Sequence, residues 1–335
     1  MNARARWKQL GVLFLAVLSF TATTSAQRAN APTNGVPQGF VLIVNEENDF
    51  FVAPSTDKHY TQGLHLSLLW PDEEIPTPLQ WLAFVPDLGI DDATSKYGVK
   101  VGQDMFTPKN LKTSNVVTND RPYAGWLYFG LVRENRGTSF PGLPTLDHLE
   151  LDLGVIGPDA LAEEVQSTFH SIVGAIPPNG WDHQLPNEPG VLLLARREWL
   201  LWETGTDDAL KIQMIPNATV TLGNVITAAQ IGTMVRVGHH IPDEFSKTMV
   251  PRVGWYAFSE IDARGVLYNA FLDGTLGEED ASHVDKEPGV AVLRAGLALV
   301  FKHFELSYTY NYLTREFEEQ KKYDAYGSLT LVWRY

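Results

Sequence analysis

From residue 40 to the C-terminus, apolar and polar residues alternate one by one, and no stretch approaches the ~20 apolar residues that a membrane-spanning helix needs. In His148-Leu-Glu-Leu-Asp-Leu-Gly-Val155, Leu149, Leu151, Leu153 and Val155 share one face, and His148, Glu150, Asp152 and Gly154 share the other. This is the two-residue period of a strand. A soluble sandwich gives the same local pattern, so the number and length of the segments decide, because the strands of a membrane barrel run about 9–11 residues between turns. Segments of that kind recur at 40–49, 61–70, 97–106, 124–133, 147–156, 190–200, 209–222, 224–237, 251–261, 264–273, 289–301, 303–313 and 325–335. Lipid offers backbone N–H groups no water, so such a sheet must close on itself. The pattern predicts an all-β chain: a transmembrane antiparallel β-barrel filling residues 40–335, with thirteen candidate strands. Leu329, Leu331, Trp333 and the terminal Tyr335 share one face of the last segment. Tyr308, Tyr310 and Tyr312 repeat at period two beside Phe304 and Leu306, as in an aromatic girdle at the bilayer interface.

A barrel of this kind presupposes export. Arg4, Arg6 and Lys8 precede the apolar run Gly11–Phe20, and Thr24-Ser25-Ala26 follows. Residues 1–26 therefore read as a signal peptide cleaved after Ala26, and 27–39, rich in Ala, Pro, Asn and Gly, as a flexible N-terminus. The formal charge is −14, more negative still without that leader, which excludes a nucleic-acid binder needing a basic face. There is no cysteine. Thiol nucleophiles, disulfides and cysteinyl metal sites are excluded, leaving His, carboxylates, hydroxyls and amides to carry any chemistry.

One segment departs from the β pattern. From Gly157 to Gly174 the periodicity is helical, with Pro158 suited to a first helical position, Asp159, Glu163 and Glu164 in the early turns, and Gly174 and Pro177 at the end. This predicts one short amphipathic helix of about four turns set between barrel strands. Gln166 and His170 are four apart and project from one face of it. Polar and aromatic clusters punctuate several strand ends: Asn45-Glu-Glu-Asn-Asp49, Thr56-Asp-Lys-His-Tyr-Thr-Gln-Gly63, Gly102-Gln-Asp-Met-Phe-Thr-Pro108 and Asn119-Asp-Arg-Pro-Tyr-Ala-Gly-Trp126. Each alone is an ordinary loop.

In order and spacing, Glu47-Asn48-Asp49, Tyr60-Thr61-Gln62-Gly63, Gly102-Gln103-Asp104, Asp120-Arg121-Pro122-Tyr123-Ala124-Gly125-Trp126, Gly154–Pro158 and Gln166-x-x-x-His170 resemble the outer-membrane lipid A 3′-O-deacylase family. The motifs span residues 40–200, and the barrel pattern covers the rest. The resemblance implies a barrel of about 12 strands in the cell outer membrane of a Gram-negative bacterium, so that at least one of the thirteen segments is a loop or a split strand. The active site it implies lies between the wall and one short extracellular helix packed on the barrel. It implies a carboxylic ester hydrolase that removes the 3′ acyloxyacyl chain of lipid A, with calcium (Ca2+) required. Lipid A or lipopolysaccharide and outer-membrane lipids are then the partners, and no obligatory protein partner or nucleic acid is inferred.

Carried over by motif, the catalytic candidates are His170, Asp49, Asn48, Gln166 and Thr61. Neutral imidazole can take a proton from water, which suits His170 to the general base. Asp49 is either a metal ligand, with Thr61, or the group that orients His170; calcium prefers such hard oxygen donors. Asn48, Thr61 and Gln166 can position water, metal or substrate. For a lipid phosphate, Lys109 and Lys112 are both candidates, and Arg121 is either a phosphate contact or, by preference, the structural ion-pair partner of Asp120. The chain departs from the family pattern at Phe50, where some members carry a second acid, and at Ile176-Pro-Pro-Asn179, where some carry an acid beyond the helical His. Two alternatives stand beside this reading: a passive channel or structural barrel, which has no use for the Gln-His helix, and an outer-membrane phospholipase, which needs a Ser beside a His. Ser171 adjoins His170 but belongs to another face of the helix.

Overall fold

Alternation along single strands becomes a two-faced wall only when neighbouring strands hold one register. The computed structural model describes residues 39–52, 58–206, 209–245, 252–277 and 282–335. The expected signal peptide and all of the expected flexible N-terminus except Gly39 lie outside the described residues. The strands are β1 (Val41–Asn48), β2 (His59–Pro71), β3 (Asp91–Thr107), β4 (Ala124–Ser139), β5 (Leu143–Ile156), β6 (Glu188–Trp199), β7 (Trp202–Thr204), β8 (Lys211–Gly223), β9 (Ile226–His239), β10 (Gly254–Asn269), β11 (Gly289–Val300), β12 (Phe304–Leu313) and β13 (Asp324–Arg334).

Apart from β7, sequence neighbours pair antiparallel, and two further pairings close the ring. β1 joins β13 from Val41↔Arg334 to Asn48↔Gly327. β6 joins β8 from Leu192↔Gly223 to Glu198↔Asn217. Twelve strands therefore form a closed barrel, and β7, which pairs only with β8, stands outside it. The expected segments 251–261 and 264–273 are a single strand, β10. Glu260, Asp262 and Arg264 put three charges into five residues, which in sequence looks like a break. In the barrel the alternation turns all three to the lumen, while Ile261 is exposed outside.

The lumen face is filled by paired charges. Lys100 Nζ lies 2.7 Å from Glu150, and His148 Nε2 lies 2.9 Å from the same carboxylate. On the neighbouring strand β6, Arg196, the register partner of His148, bridges Glu198 and Glu260 at 2.6 and 2.7 Å. At the mouth, the four-residue helix Ala270–Asp273 stacks Phe271 on Phe106, with ring centroids 4.2 Å apart, in a buried cluster with Trp126 and Tyr128. Glu150, Asp152, Glu260 and Asp262 are all buried, which is the opposite of the water-lined lumen that the channel alternative requires. Outside, Phe304, Leu306, Tyr308, Leu329, Leu331, Trp333 and Tyr335 are exposed, as the girdle pattern predicted. No helix among the described residues is long and apolar enough to cross a membrane; the chain crosses with strands.

The predicted helix, α1 (Ala162–Val173), has 12 residues, fewer than expected. Pro158–Ala160 forms a separate 3-10 turn, and Leu161, with φ 60°, breaks the two apart. Gly174, with φ 71°, ends α1 in the left-handed conformation that glycine adopts most easily.

The lumen pairs yield a test. Arg294 Nη1 lies 2.5 Å from Asp262 and 3.4 Å from Glu260, so Arg294→Met takes the cation from buried Asp262, whereas Glu260 keeps Arg196. The expected cost is about 3 kcal/mol. It should appear as a lower urea midpoint for the barrel in lipid vesicles, whereas Leu153→Met on the outer face should leave the midpoint nearly unchanged.

Candidate active site

A single row of paired residues crosses four strands at the end of the barrel opposite the C-terminus. Asn48 pairs with Gln62, Gln62 with Met105, and Met105 with Gly125. At the usual spacing between strands the row is about 14 Å wide. Gly125 then accepts a hydrogen bond from Gly157 N at 3.0 Å, where the chain leaves the wall for α1. On β3 and β4 the outer face is marked by exposed Val101 and Phe129, and alternation places Gln103, Met105 and Gly125 on that same face.

The helix is seated on this outer face. Gln103 Nε2 donates to Ala160 O at 2.6 Å. Met105, Leu111, Tyr123, Ala162 and Trp181 form one buried cluster under it. A Cβ on Gly125 would come within 2.7 Å of the Ala162 Cβ and 2.9 Å of the Ala160 Cβ, so the close approach of helix to wall requires glycine there. Among the residues of α1, Ala162, Gln166 and His170 are buried, whereas Ser171 is exposed and shares no face with His170. Ser171 and His170 are therefore not the Ser–His pair that the phospholipase alternative needs.

Two hydrogen bonds fix the chemistry of the helix pair. His170 Nδ1 lies 2.5 Å from Ile176 O. A carbonyl only accepts, so Nδ1 carries the proton and the lone pair resides on Nε2. Trp181 Nε1 donates to Gln166 Oε1 at 2.8 Å. An indole only donates, so Gln166 must turn its oxygen to Trp181 and its –NH2 the other way. Sequence reasoning missed Trp181, which lies fifteen residues beyond Gln166 with no periodicity linking them.

The strand residues occupy the other end of the row. Asn48 Oδ1 accepts from Phe50 N at 2.8 Å and caps a 3-10 turn, so –NH2 is the end this side chain can offer. Asp49 is buried, and its Oδ2 accepts from Lys58 N at 2.7 Å. The Asn48↔Gln62 register sets Asp49 and Thr61 at neighbouring positions on adjacent strands. β2 slips register between Tyr60 and Gln62. The slip lets Tyr60 face inward, bonded to Glu47 and Asp104, while Thr61 meets Thr107 hydroxyl to hydroxyl at 2.8 Å. Thr107 was not among the sequence candidates; only its strand partners reveal it. Thr56 and Asp57 of the same motif lie outside the described residues.

The expected anion-binding residues separate. Lys109 and Lys112 are both exposed on the loop between β3 and β4. Lys112 O accepts from Asn179 Nδ2 at 3.2 Å, which brings Lys112 beside the segment following α1, whereas the Lys109 backbone is tied to Asp120. Arg121 is buried, and its guanidinium pairs with Glu316 at 3.3 Å and lies 4.5 Å above the Phe106 ring. Its expected partner, Asp120, instead takes His59 Nε2 at 3.1 Å and receives only the backbone N–H of Arg121. Burial pushes the Asp120 carboxyl up, but His59 and the N–H groups of Lys109 and Arg121 outweigh it and hold it below the usual carboxylate range. Among the described residues no three His, Asp or Glu side chains cluster as a metal site.

Comparison with known proteins bears on this arrangement. The family model described as "Outer membrane protein LpxR" matches residues 12–335. The chain belongs to the LpxR family. The motif resemblance to the outer-membrane lipid A 3′-O-deacylases is thereby borne out, and the barrel is one of the outer membrane. LpxR from Salmonella typhimurium superposes with a TM-score of 0.70 at 21% identity, covering 88% of this chain and 100% of that one. At that identity the likeness concerns the fold. The β domain of the Bordetella autotransporter BrkA reaches a TM-score of 0.44 at 10% identity, over 90% of this chain and 99% of that one, and carries no argument. No curated protein sequence matches the chain.

The seat of α1 is open to a direct test. Gly125→Val should lift the helix from the wall of this LpxR-family barrel. Protease cleavage between residues 157 and 187 should then rise strongly, while the heat-modifiable gel mobility of the folded barrel is retained.

Proposed function

We propose that the chain hydrolyses the ester holding the 3′ acyloxyacyl chain of lipid A, in the outer membrane, with calcium bound beside Asp49. The observation that carries this reading is the burial of Gln166 and His170 on a helix seated against the outer, lipid-side wall of an LpxR-family barrel. A lipid substrate reaches such a crevice from the leaflet without entering the lumen.

In this mechanism His170 Nε2 takes a proton from water as the water oxygen bonds to the ester carbonyl carbon. The Ile176 carbonyl holds the imidazole in the tautomer that leaves Nε2 basic, and stabilises the imidazolium once it forms. Gln166 and Asn48 each engage their amide oxygen elsewhere, and their –NH2 groups act as donors to the carbonyl oxygen as it becomes negative. The tetrahedral carbon then expels the sugar oxygen, His170 returns its proton to that oxygen, and the intact acyloxyacyl chain is released as a carboxylic acid. Lys112, beside the segment that follows the helix, is the better placed of the two lysines for a lipid phosphate.

The donor set suits calcium in kind. Asp49 and Thr61 supply carboxylate and hydroxyl oxygen and are the residues that would hold the ion. With one carboxylate in the set, backbone carbonyls and water must complete the shell. Bound calcium supplies positive charge that favours the oxyanion over the ester carbonyl.

Mass spectrometry of lipid A from cells expressing the chain should show loss of the 3′ acyloxyacyl group; an unchanged profile with folded barrel and calcium present overturns the reading. His170→Ala should lower turnover about 10²–10⁴-fold with the barrel still folded. Gln166→Ala should lower it less, because the base remains, and His183→Ala should leave it intact, since His183 is bonded to Ser114 O away from the helix pair.

A chelator tests the metal separately. Deacylation should stop on chelation and return with calcium; recovery with zinc alone contradicts the oxygen donor set.

A further inference from the structure

Between Glu164 and Asp182 the chain carries no Asp, Glu, Lys or Arg, although its formal charge is −14. The C-terminal half of this uncharged stretch is nevertheless exposed. Phe169 is 39% exposed, Ile172 74%, Val173 50% and Ile176 49%, and Ala175 and Pro177 are exposed beside them. An apolar surface that continuous is costly in water and signals a covering partner. The first turn of α1 is different, with charged Glu163 exposed there.

The place of the helix says what the partner is. Ala160 and Ala162 rest on Gln103 and Gly125 of the outer wall. Two residues down β3 from Gln103, about 7 Å along the strand, is Val101, and beside it is Phe129; both face outward and are exposed, at 38% and 46%. These are the upper rows of the lipid-facing belt. The helix is thus seated on a wall whose solvent is hydrocarbon, with Gln166 and His170 buried on its protein side and the apolar ridge on its exposed side. An uncharged stretch suits that setting, because each charge carried into lipid costs several kcal/mol.

We propose that Phe169, Ile172, Val173 and Ile176 are immersed in the acyl chains of the outer leaflet, so that α1 is a lipid-embedded wall of the crevice and not a water-exposed flap. The occupant of this surface is bulk lipid, and the surface exists whether or not the deacylase reading holds.

The chain has no cysteine, so one introduced thiol gives a unique label. Ile172→Cys, Val173→Cys and Ile176→Cys would each carry a nitroxide on the full-length protein, reconstituted in vesicles of phosphatidylethanolamine and lipopolysaccharide. Val101→Cys is the lipid reference and Asn115→Cys, exposed on the loop between β3 and β4, the aqueous one. Heat-modifiable mobility selects the folded variants, and three separate positions keep the test alive if one fails to fold. The expected result is collision with dissolved oxygen as frequent as at residue 101, and collision with a water-soluble nickel complex several-fold rarer than at residue 115. Nickel access equal to that at residue 115 places the ridge in water and overturns the proposal. Shielding from both reagents means that protein covers it, either a second copy or another chain, and overturns the proposal as well. No turnover is measured, so this outcome and that of the lipid A assay remain distinguishable.

Discussion

Hydrocarbon supplies no hydrogen-bond partners, and that constraint shapes the rest of the molecule. Every N–H at membrane depth must find a strand beside it, so the sheet has to meet itself, which it does through β1 with β13 and β6 with β8. Once the ring is closed, a strand cannot slip by one residue without exchanging its apolar and polar faces along its whole length. Register is therefore stiff, and the row Asn48, Gln62, Met105, Gly125 inherits that stiffness. The slip at Thr61 costs little because it sits at the rim, near the end of β2, where the alternation has few residues left to invert.

Closure also decides which side of the wall is open to a ligand. Inward-facing charges find partners across the lumen, as Lys100 does with Glu150 and Arg196 with Glu260. Phe271, Phe106 and Trp126 fill the mouth above them. A filled interior cannot also be a binding cavity, so a site for a lipid has to lie outside, where the wall is apolar and smooth. The excursion between β5 and β6 supplies the second wall of a crevice, and the absence of a side chain at Gly125 lets it come close.

Much of this was legible in the sequence because it depends on local period. The strands, the helix, its terminal Gly174 and the Gln166–His170 pairing all follow from spacing within one element. The failures have a common physical origin in contacts between distant segments. β10 was split because Glu260, Asp262 and Arg264 look solvated until Arg196 and Arg294 arrive from β6 and β11. Arg121 was assigned to its neighbour Asp120, but its partner Glu316 lies 195 residues away. Trp181 and Thr107 became visible as parts of the site only through Gln166 and Thr61. Leu161 shortened the helix from the front, and no residue rule forecasts a left-handed leucine.

The end of α1 shows how a local rule can serve chemistry. A helix that stops at a left-handed glycine reverses its backbone, and here Ala175 N returns to His170 O at 3.0 Å. The same reversal carries Ile176 back along the helix until its carbonyl meets His170 Nδ1. A backbone carbonyl thus fixes the tautomer of His170 without any side chain of residue 176 taking part. One residue serves two ends: the Ile176 carbonyl orients the imidazole, and its apolar side chain belongs to the exposed ridge that follows the helix.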